Sequence, residues 1–197
     1  MLLITQPTFI PWIGYYDMID KSNTFVLLDD VQFNTRSWQQ RNKIKSVKGQ
    51  EWITVPIKKK KLRYQKINEV EIHDADKFIK VFEKKITSNY SRSNYFKEYK
   101  DELFDLVYSS KNHKLLINLN IDLLKWTMEK LKIKKKLVLS STLKIKSENK
   151  VDRIVKICQK LNSQIYLCNE GAVDYLIKGK QHINSNKIEI YNHNYDH

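Results

Sequence analysis

The opening of this chain constrains its fold more than any other stretch. Leu2 to Thr5 is an apolar run stopped by Gln6-Pro7, and because proline cannot donate to a sheet ladder the run reads as a strand that ends in a loop. Pro7 and Pro11, two of only three prolines, fall in that loop together with Gly14, one of only four glycines. In a chain so poor in both residues, they specify a shaped connection. Trp12, Tyr15, Tyr16 and Ile19 then recur at helical spacing as far as Lys21-Ser22-Asn23, where polar residues break the pattern, and a second apolar run covers Phe25 to Leu28. Strand, shaped loop, helix and strand in this order predict a parallel βαβ unit whose strands open their carboxyl ends on one edge. Gln6 and Asp29-Asp30 are therefore expected on a common rim.

The rest of the chain divides by period. Val31 to Lys43 is polar and amide-rich, with Gln32, Arg36, Trp38, Arg41 and Asn42 close together. That composition suits a binding surface, and it also suits a turn with Phe33 and Trp38 tucked inward. Lys43 to Val47 and Glu51 to Pro56 flank Gly49 as the arms of a β-hairpin. The basic run Lys58 to Lys61 with Arg63 follows, an exposed loop or a phosphate clamp. Ile67 to Ile72 alternates imperfectly as a strand. From Asp74, which can cap a helix, apolar residues recur at helical spacing through Phe78, Ile79, Phe82 and Ile86, then from Tyr95 to Tyr108, then from Leu115 to Leu131. Alternation returns with strands at Leu137 to Leu139, Gln164 to Cys168 and Ile188 to Tyr191, separated by helix faces. The expected fold is α/β, a Rossmann-like, mainly parallel sheet with an inserted β-hairpin and a three-helix segment. With 197 residues, enough to bury roughly 70% of the unfolded surface, one domain over 1–197 is expected. Residues 1–40 and 137–191 form its sheet core, 41–72 a hairpin and strand insert, and 74–132 a helical insert.

Composition limits the partners. A net charge of +14 suits nucleic acid, phosphate-bearing small molecules or an anionic membrane face. The lysines are spread over every predicted element, however, as on a solvated surface, and arginine, the usual device for reading bases, is scarce. Nucleic acid is not the expected partner. Cys158 and Cys168 are too few for a disulfide scaffold and too far apart in sequence for a zinc pair, which fits a reducing compartment. No apolar run is long enough to span a bilayer, and Thr, Gln, Pro and Gly interrupt residues 1–16 without a basic leader, so neither anchor nor signal peptide is expected. A cytoplasmic protein, at most peripherally associated with the inner face of the membrane, is expected.

No glycine-rich phosphate loop, nucleophile elbow or paired metal ligands are present, and His73, His113, His182, His193 and His197 are scattered as surface residues would be. What remains is the strand edge. Asp29, Asp30, Gln32 and Arg41 are the catalytic candidates there; Gln6, Pro7, Trp12, Gly14, Tyr15, Arg36, Trp38, Asn42, Ser140 and Ser141 are the substrate-binding ones. Adjacent carboxylates at a strand end point to opposite faces, so one of Asp29 and Asp30 is expected in the cleft, as a general base, a holder of Mg²⁺ with a phosphate, or the cap of an Asx turn. No other cofactor is specified and no metal ligand is assigned. Arg36 and Arg41 can grip a phosphate or carboxylate, and Trp12 or Tyr15 can stack on a ring. The order of elements around Gly14 is similar to the start of the nucleotidyltransferase and pantothenate-synthetase type of enzyme. Those carry two histidines flanking the glycine, where this chain has Trp12 or Pro11 and Tyr15, which argues against adenylyl transfer.

The runs Gln6 to Asp17, Phe25 to Phe33, Trp38 to Ile44, Trp52 to Pro56, Ser140 to Thr142, Ile157 to Leu161, Tyr166-Leu167 and Gly171 to Tyr175 together resemble the WbqC-like protein family. The resemblance covers nearly the whole chain. It implies a role in bacterial surface-polysaccharide (O-antigen) synthesis, as acyl or aminoacyl transfer to a nucleotide-linked amino sugar, with a nucleotide sugar or similar phosphorylated small molecule as ligand. A non-catalytic sugar- or nucleotide-binding accessory subunit is the alternative, and a nucleic-acid-binding module is favoured by charge alone. Family members run on into a Pro-x-Tyr segment, so the chain reads as truncated at His197.

Overall fold

The computed structural model describes residues 1–58, 64–168, 172–193 and 195. The elements in chain order are β1 (Leu2–Thr5), α1 (Ile13–Lys21), β2 (Thr24–Leu27), β3 (Arg41–Ser46), β4 (Gly49–Thr54), α2 (Ala75–Tyr90), α3 (Phe96–Tyr108), α4 (Ser110–His113), α5 (Leu116–Lys130), β5 (Lys136–Leu139), α6 (Lys150–Lys160), β6 (Ile165–Cys168), α7 (Val173–Lys178), α8 (Lys180–Ser185) and β7 (Glu189–Asn192). None of the helices among the described residues is long and apolar enough to cross a membrane. The chain forms two compact units: Met1–Gln6, Trp12–Asp30 and Met128–His197 make the first, Pro7–Pro11 and Val31–Thr127 the second.

The first unit holds a five-stranded sheet in the order β5-β2-β1-β6-β7, every pairing parallel. Counting only these strands along the chain, the order is 3-2-1-4-5, the Rossmann-like arrangement expected from the alternation of strands and helices. All five strands are four residues long; the inner three, β1, β2 and β6, are nearly all apolar and buried because a parallel sheet is covered on both faces, while the edge strands β5 and β7 are more exposed. Leu2, Ile4 and Val26 form one core with Ile154, Val155, Ile157 and Cys158 of α6 and Ile183 of α8. Leu3, Phe25 and Leu27, the alternating residues, are equally buried and belong to the opposite face. α6 begins where Asn149 accepts hydrogen bonds from the backbone N–H groups of Val151 and Asp152, 3.0 and 2.9 Å, a side-chain cap for its first turn.

The second unit is the long excursion between β2 and β5. Its hairpin pairs β3 with β4 antiparallel across a two-residue tip, Val47-Lys48, and Gly49 follows at φ +103°, a conformation that L side chains rarely adopt. Asp74 caps α2, accepting from Lys77 N at 3.1 Å, and Phe78, Ile79, Phe82 and Ile86 face inward as their spacing predicts. They join Ile44, Ile53, Val70, Val107, Leu116 and Leu123 in one apolar cluster. Ile67–Ile72 departs from the expected strand: Ile67–Glu69 is a 3-10 turn, and only isolated bridges, Ile57 to Ile72 and Glu71 to Leu115, follow it. The reason is spacing. Ile67 and Val70 are both fully buried, and residues three apart share a face of a turn and not of a strand.

Phe82 is completely buried, with rings of Phe78 and Phe104 at 5.9 and 6.5 Å. Phe82→Ala is expected to lower the free energy of unfolding by about 3–5 kcal/mol, read as a fall in the urea midpoint. A loss below about 1 kcal/mol would show that this cluster is not the core of the unit.

Candidate functional site

All five parallel strands release their carboxyl ends on one edge, and the chemistry of the first unit collects there. β2 continues past Leu27 into Leu28, whose N–H donates to Thr5 O at 2.8 Å, and then into Asp29 and Asp30. The end of β5 passes into a 3-10 turn, Ser140–Leu143, beside them. Asp29 is 2% exposed, and its carboxylate is engaged by this turn: Oδ1 accepts from Ser140 Oγ at 3.1 Å and from Ser141 N at 2.9 Å, and Oδ2 accepts from Ser141 Oγ at 2.6 Å. In return Ser140 Oγ accepts from Asp29 N at 3.2 Å.

Asp30 does not point to the opposite face, as strict alternation would require. The strand has ended at Leu27, the alternation ends with it, and Asp30 Oδ1 also takes the Ser140 hydroxyl. The same oxygen takes Arg153 Nη2 from α6 in a close ion pair. Burial works to raise the Asp30 pKa, but the Ser140 and Arg153 hydrogen bonds and the guanidinium charge outweigh it and hold the carboxyl below its ordinary range. Two acids therefore share one hydroxyl beside one cation. Arg153 Nε is buried without a partner among the described residues.

A second cluster on this unit is made by His193, which follows β7. It is buried, not at the surface: Nε2 lies 2.5 Å from Asp17 Oδ2 of α1, and its backbone N donates to Cys168 O at 2.8 Å. The Lys21 hydrogen bond and, after an opposing burial effect, the His193 contact lower the Asp17 pKa. Tyr195 stacks at 6.4 Å on His193 and meets Trp12 edge-on at 5.4 Å.

The remaining sequence-predicted residues fall as follows. Gln6 is exposed at the end of β1, and its carbonyl accepts from Tyr15 Oη at 3.0 Å. Tyr15 is buried, which pushes its phenol well up, and its ring has no open face for a ligand. The open side of Gly14 is filled by the indole of Trp12, which a Cβ at residue 14 would meet at 2.1 Å, so the glycine accommodates that ring. Pro7, Gln32, Arg36, Trp38, Arg41 and Asn42 belong to the second unit. Pro7 is buried there; Gln32 and Arg36 are exposed. The Asn42 amide is spent on the carbonyls of Phe9 and Ile10, at 3.1 and 2.5 Å. Arg41 lies with its guanidinium carbon 4.2 Å from the Trp52 ring centroid, and Trp38 lies 5.4 Å from the same ring. Lys59, Lys60, Lys61 and Arg63 of the basic loop lie outside the described residues.

Sequence reasoning missed Arg153, His193, Asp17 and Trp52. The signal for Arg153 was rarity, since five arginines stand among thirty-one lysines. Among the described residues no group of three His, Cys, Asp or Glu could hold a metal, and the Asp29 oxygens accept from the Ser140 and Ser141 hydroxyls and the Ser141 amide. Burial pushes the Cys158 thiol up to about 12 and that of Cys168 up to about 11, so neither is an activated nucleophile at neutral pH.

The profile of the WbqC-like protein family matches residues 6–197. A Mycobacterium tuberculosis (strain ATCC 25618 / H37Rv) protein, "Uncharacterized protein Rv1507c", is 34% identical over 173 residues, which is 88% of this chain and 74% of that protein. No solved structure matches.

Ser140→Ala removes the hydroxyl between two acids and leaves Asp29 N without that acceptor, an expected loss of about 1–3 kcal/mol in chemical unfolding. Because Asp30 titrates lower folded than unfolded, its stabilisation is complete above the ordinary carboxylate pKa of about 3.9 and disappears as the pH falls through the lower folded value. Asp30→Asn should therefore flatten the acid limb of a stability–pH curve below about pH 4. An acid limb as steep as the parent's would show that the pair is not formed in solution.

Proposed function

The chain belongs to the WbqC-like protein family, and from that premise we propose that it is a transferase of bacterial surface-polysaccharide (O-antigen) construction, placing an acyl or aminoacyl group on a nucleotide-linked amino sugar. One observation carries the reading: Asp30 is kept ionised by Ser140 and Arg153 at the carboxyl edge of a doubly wound sheet. Such sheets take their ligands outside the strand ends, at the point where the strand order reverses, here between β1 and β6. Gln6 and Trp12 follow β1 at that point. The acid accepts hydrogen bonds from the acceptor's amino or hydroxyl group, and Arg153 supplies positive charge beside it. Asp29, sealed by Ser140 and Ser141, is a positioning residue that sets where Asp30 stands. A carboxylate held this low orients a nucleophile better than it takes its proton.

The same fact favours a second reading. Asp29 is engaged by the Ser140–Ser141 turn and Asp30 is held below the ordinary carboxylate range, an arrangement suited to holding a ligand's hydrogen-bond donors, as a sugar- or nucleotide-binding accessory subunit would.

The deciding experiment incubates the full chain with nucleotide-linked amino sugars and acyl-thioester or aminoacyl donors and follows the mass of the sugar. Acylated product is expected, with Asp30→Asn lowering turnover at least about a hundredfold while the acceptor still raises the melting temperature. A thermal shift without product supports the accessory subunit; full activity of Asp30→Asn would falsify the assignment of the site.

A further inference from the structure

The outward face of the β3–β4 hairpin carries groups that the strand edge does not use. Lys43 pairs with Trp52 and Asn42 with Ile53, so Arg41, Lys43 and Trp52 share one face while Ile44 and Ile53 enter the core on the other. The Arg41 guanidinium carbon lies over the Trp52 ring, 4.2 Å from its centroid, and Lys43 Nζ is 5.3 Å from the same ring. Trp38 adjoins Trp52 with the two rings tilted 35°, and the two indoles are 53% and 37% exposed. The Arg41 side chain has neither a carboxylate nor a hydrogen-bond acceptor among the described residues, and its Nε is buried in that state. A guanidinium held over a ring and lacking an anion is suited to one, since the ring holds the charge in place without using its hydrogen-bond donors.

The loop that presents Trp38 is held before any ligand arrives. Gln39 Oε1 accepts from Asn34 N at 3.2 Å and Gln40 Oε1 from Arg36 N at 3.0 Å, while Phe9 N donates to Trp38 O at 2.9 Å and Asn120 Nδ2 to Gln39 O at 2.9 Å. An exposed aromatic on a braced loop loses little freedom on binding.

We propose that this face is a nucleotide-binding site, in which a planar base stacks on Trp38 and its phosphate is taken by the Arg41 fork, with Lys43 adding charge. Arg41 already covers a face of Trp52, which leaves Trp38 as the platform. A neutral sugar would leave the guanidinium unanswered, and a bare phosphate would leave the indole in water. The proposal rests on the preceding reading only for the class of ligand, a nucleotide, and is confined to residues of the second unit. It concerns a separate set of residues.

Isothermal titration of the full chain with uridine diphosphate, guanosine diphosphate, N-acetylglucosamine, inorganic diphosphate and an oligothymidylate tests it. Both nucleotides are expected to bind, the free sugar not at all, and diphosphate more weakly. Trp38→Ala and Arg41→Met should each weaken nucleotide binding about tenfold or more, with unchanged melting temperatures and circular dichroism. Arg41→Lys, which keeps the charge but not the fork, should weaken it as well should Arg41→Met prove unstable. Asp30→Asn should leave it unchanged. Equal binding by the parent and Trp38→Ala, binding of the sugar without phosphate, or oligothymidylate binding far tighter than either nucleotide and steeply weakened by salt would each overturn the proposal. Nucleotide binding at Trp38 without sugar acylation would sink the transferase and leave this site standing; acylation with a nucleotide affinity indifferent to Trp38 and Arg41 would do the reverse.

Discussion

The hydroxyl of Ser140, set between two carboxylates, is the contact on which the arrangement of the sheet edge depends. The chain leaves the sheet after β2 and returns to it as β5, and Asp29 and Ser140, 111 residues apart, close that excursion. Nothing in the backbone pairing of β2 with β5 specifies what lies beyond their last residues. The serine does. It accepts from the Asp29 backbone and donates toward both acids, so like charges that would repel are tied through one proton and balanced by Arg153. In a buried setting this works only when every partner is present, since a carboxylate left without its donors there is costly.

Much of the fold was legible because period and punctuation agree in this chain. The opening run, the Pro–Gly loop and the second run specify strand, helix and strand, and the faces of α2, α5 and α6 follow their apolar spacing closely. Where spacing was mixed, legibility failed: Ile67, Val70 and Ile72 fit neither period, and the chain answers with a turn and single bridges. The site was less legible than the fold. Asp29, Asp30, Ser140 and Ser141 were identified from their places at strand ends, but alternation misled the reading of Asp30 because its rule stops where the strand stops. Arg153 sits on a helix whose face is otherwise read for packing, and a residue far along the chain shows its partner only in three dimensions. His193 belongs to a polar tail that looks solvated until its ring is found against Asp17.

The division of labour among the amides is similar. Gln39, Gln40 and Asn42 have the composition of a binding surface, yet their side chains serve the protein's own backbone. Their contribution is stiffness. A segment of this length without regular structure would otherwise sample many conformations, and the amides take the place of a sheet ladder in satisfying its backbone. The geometry distributes the parts: a sealed acid, a partly covered acid paired with arginine, a cation over a ring and a braced indole.

The order of strands carries a cost during synthesis. β1 and β2, made first, lie between β5 and β6, which both come from the last third of the chain. On the ribosome the two earliest strands therefore expose unpaired edges until well over half of the polypeptide has emerged, the state in which apolar strands recruit wrong partners. The excursion between β2 and β5, with its own apolar cluster, can be complete before the sheet is. With this strand order, completing the sheet waits for β5 and β6, while the excursion needs neither.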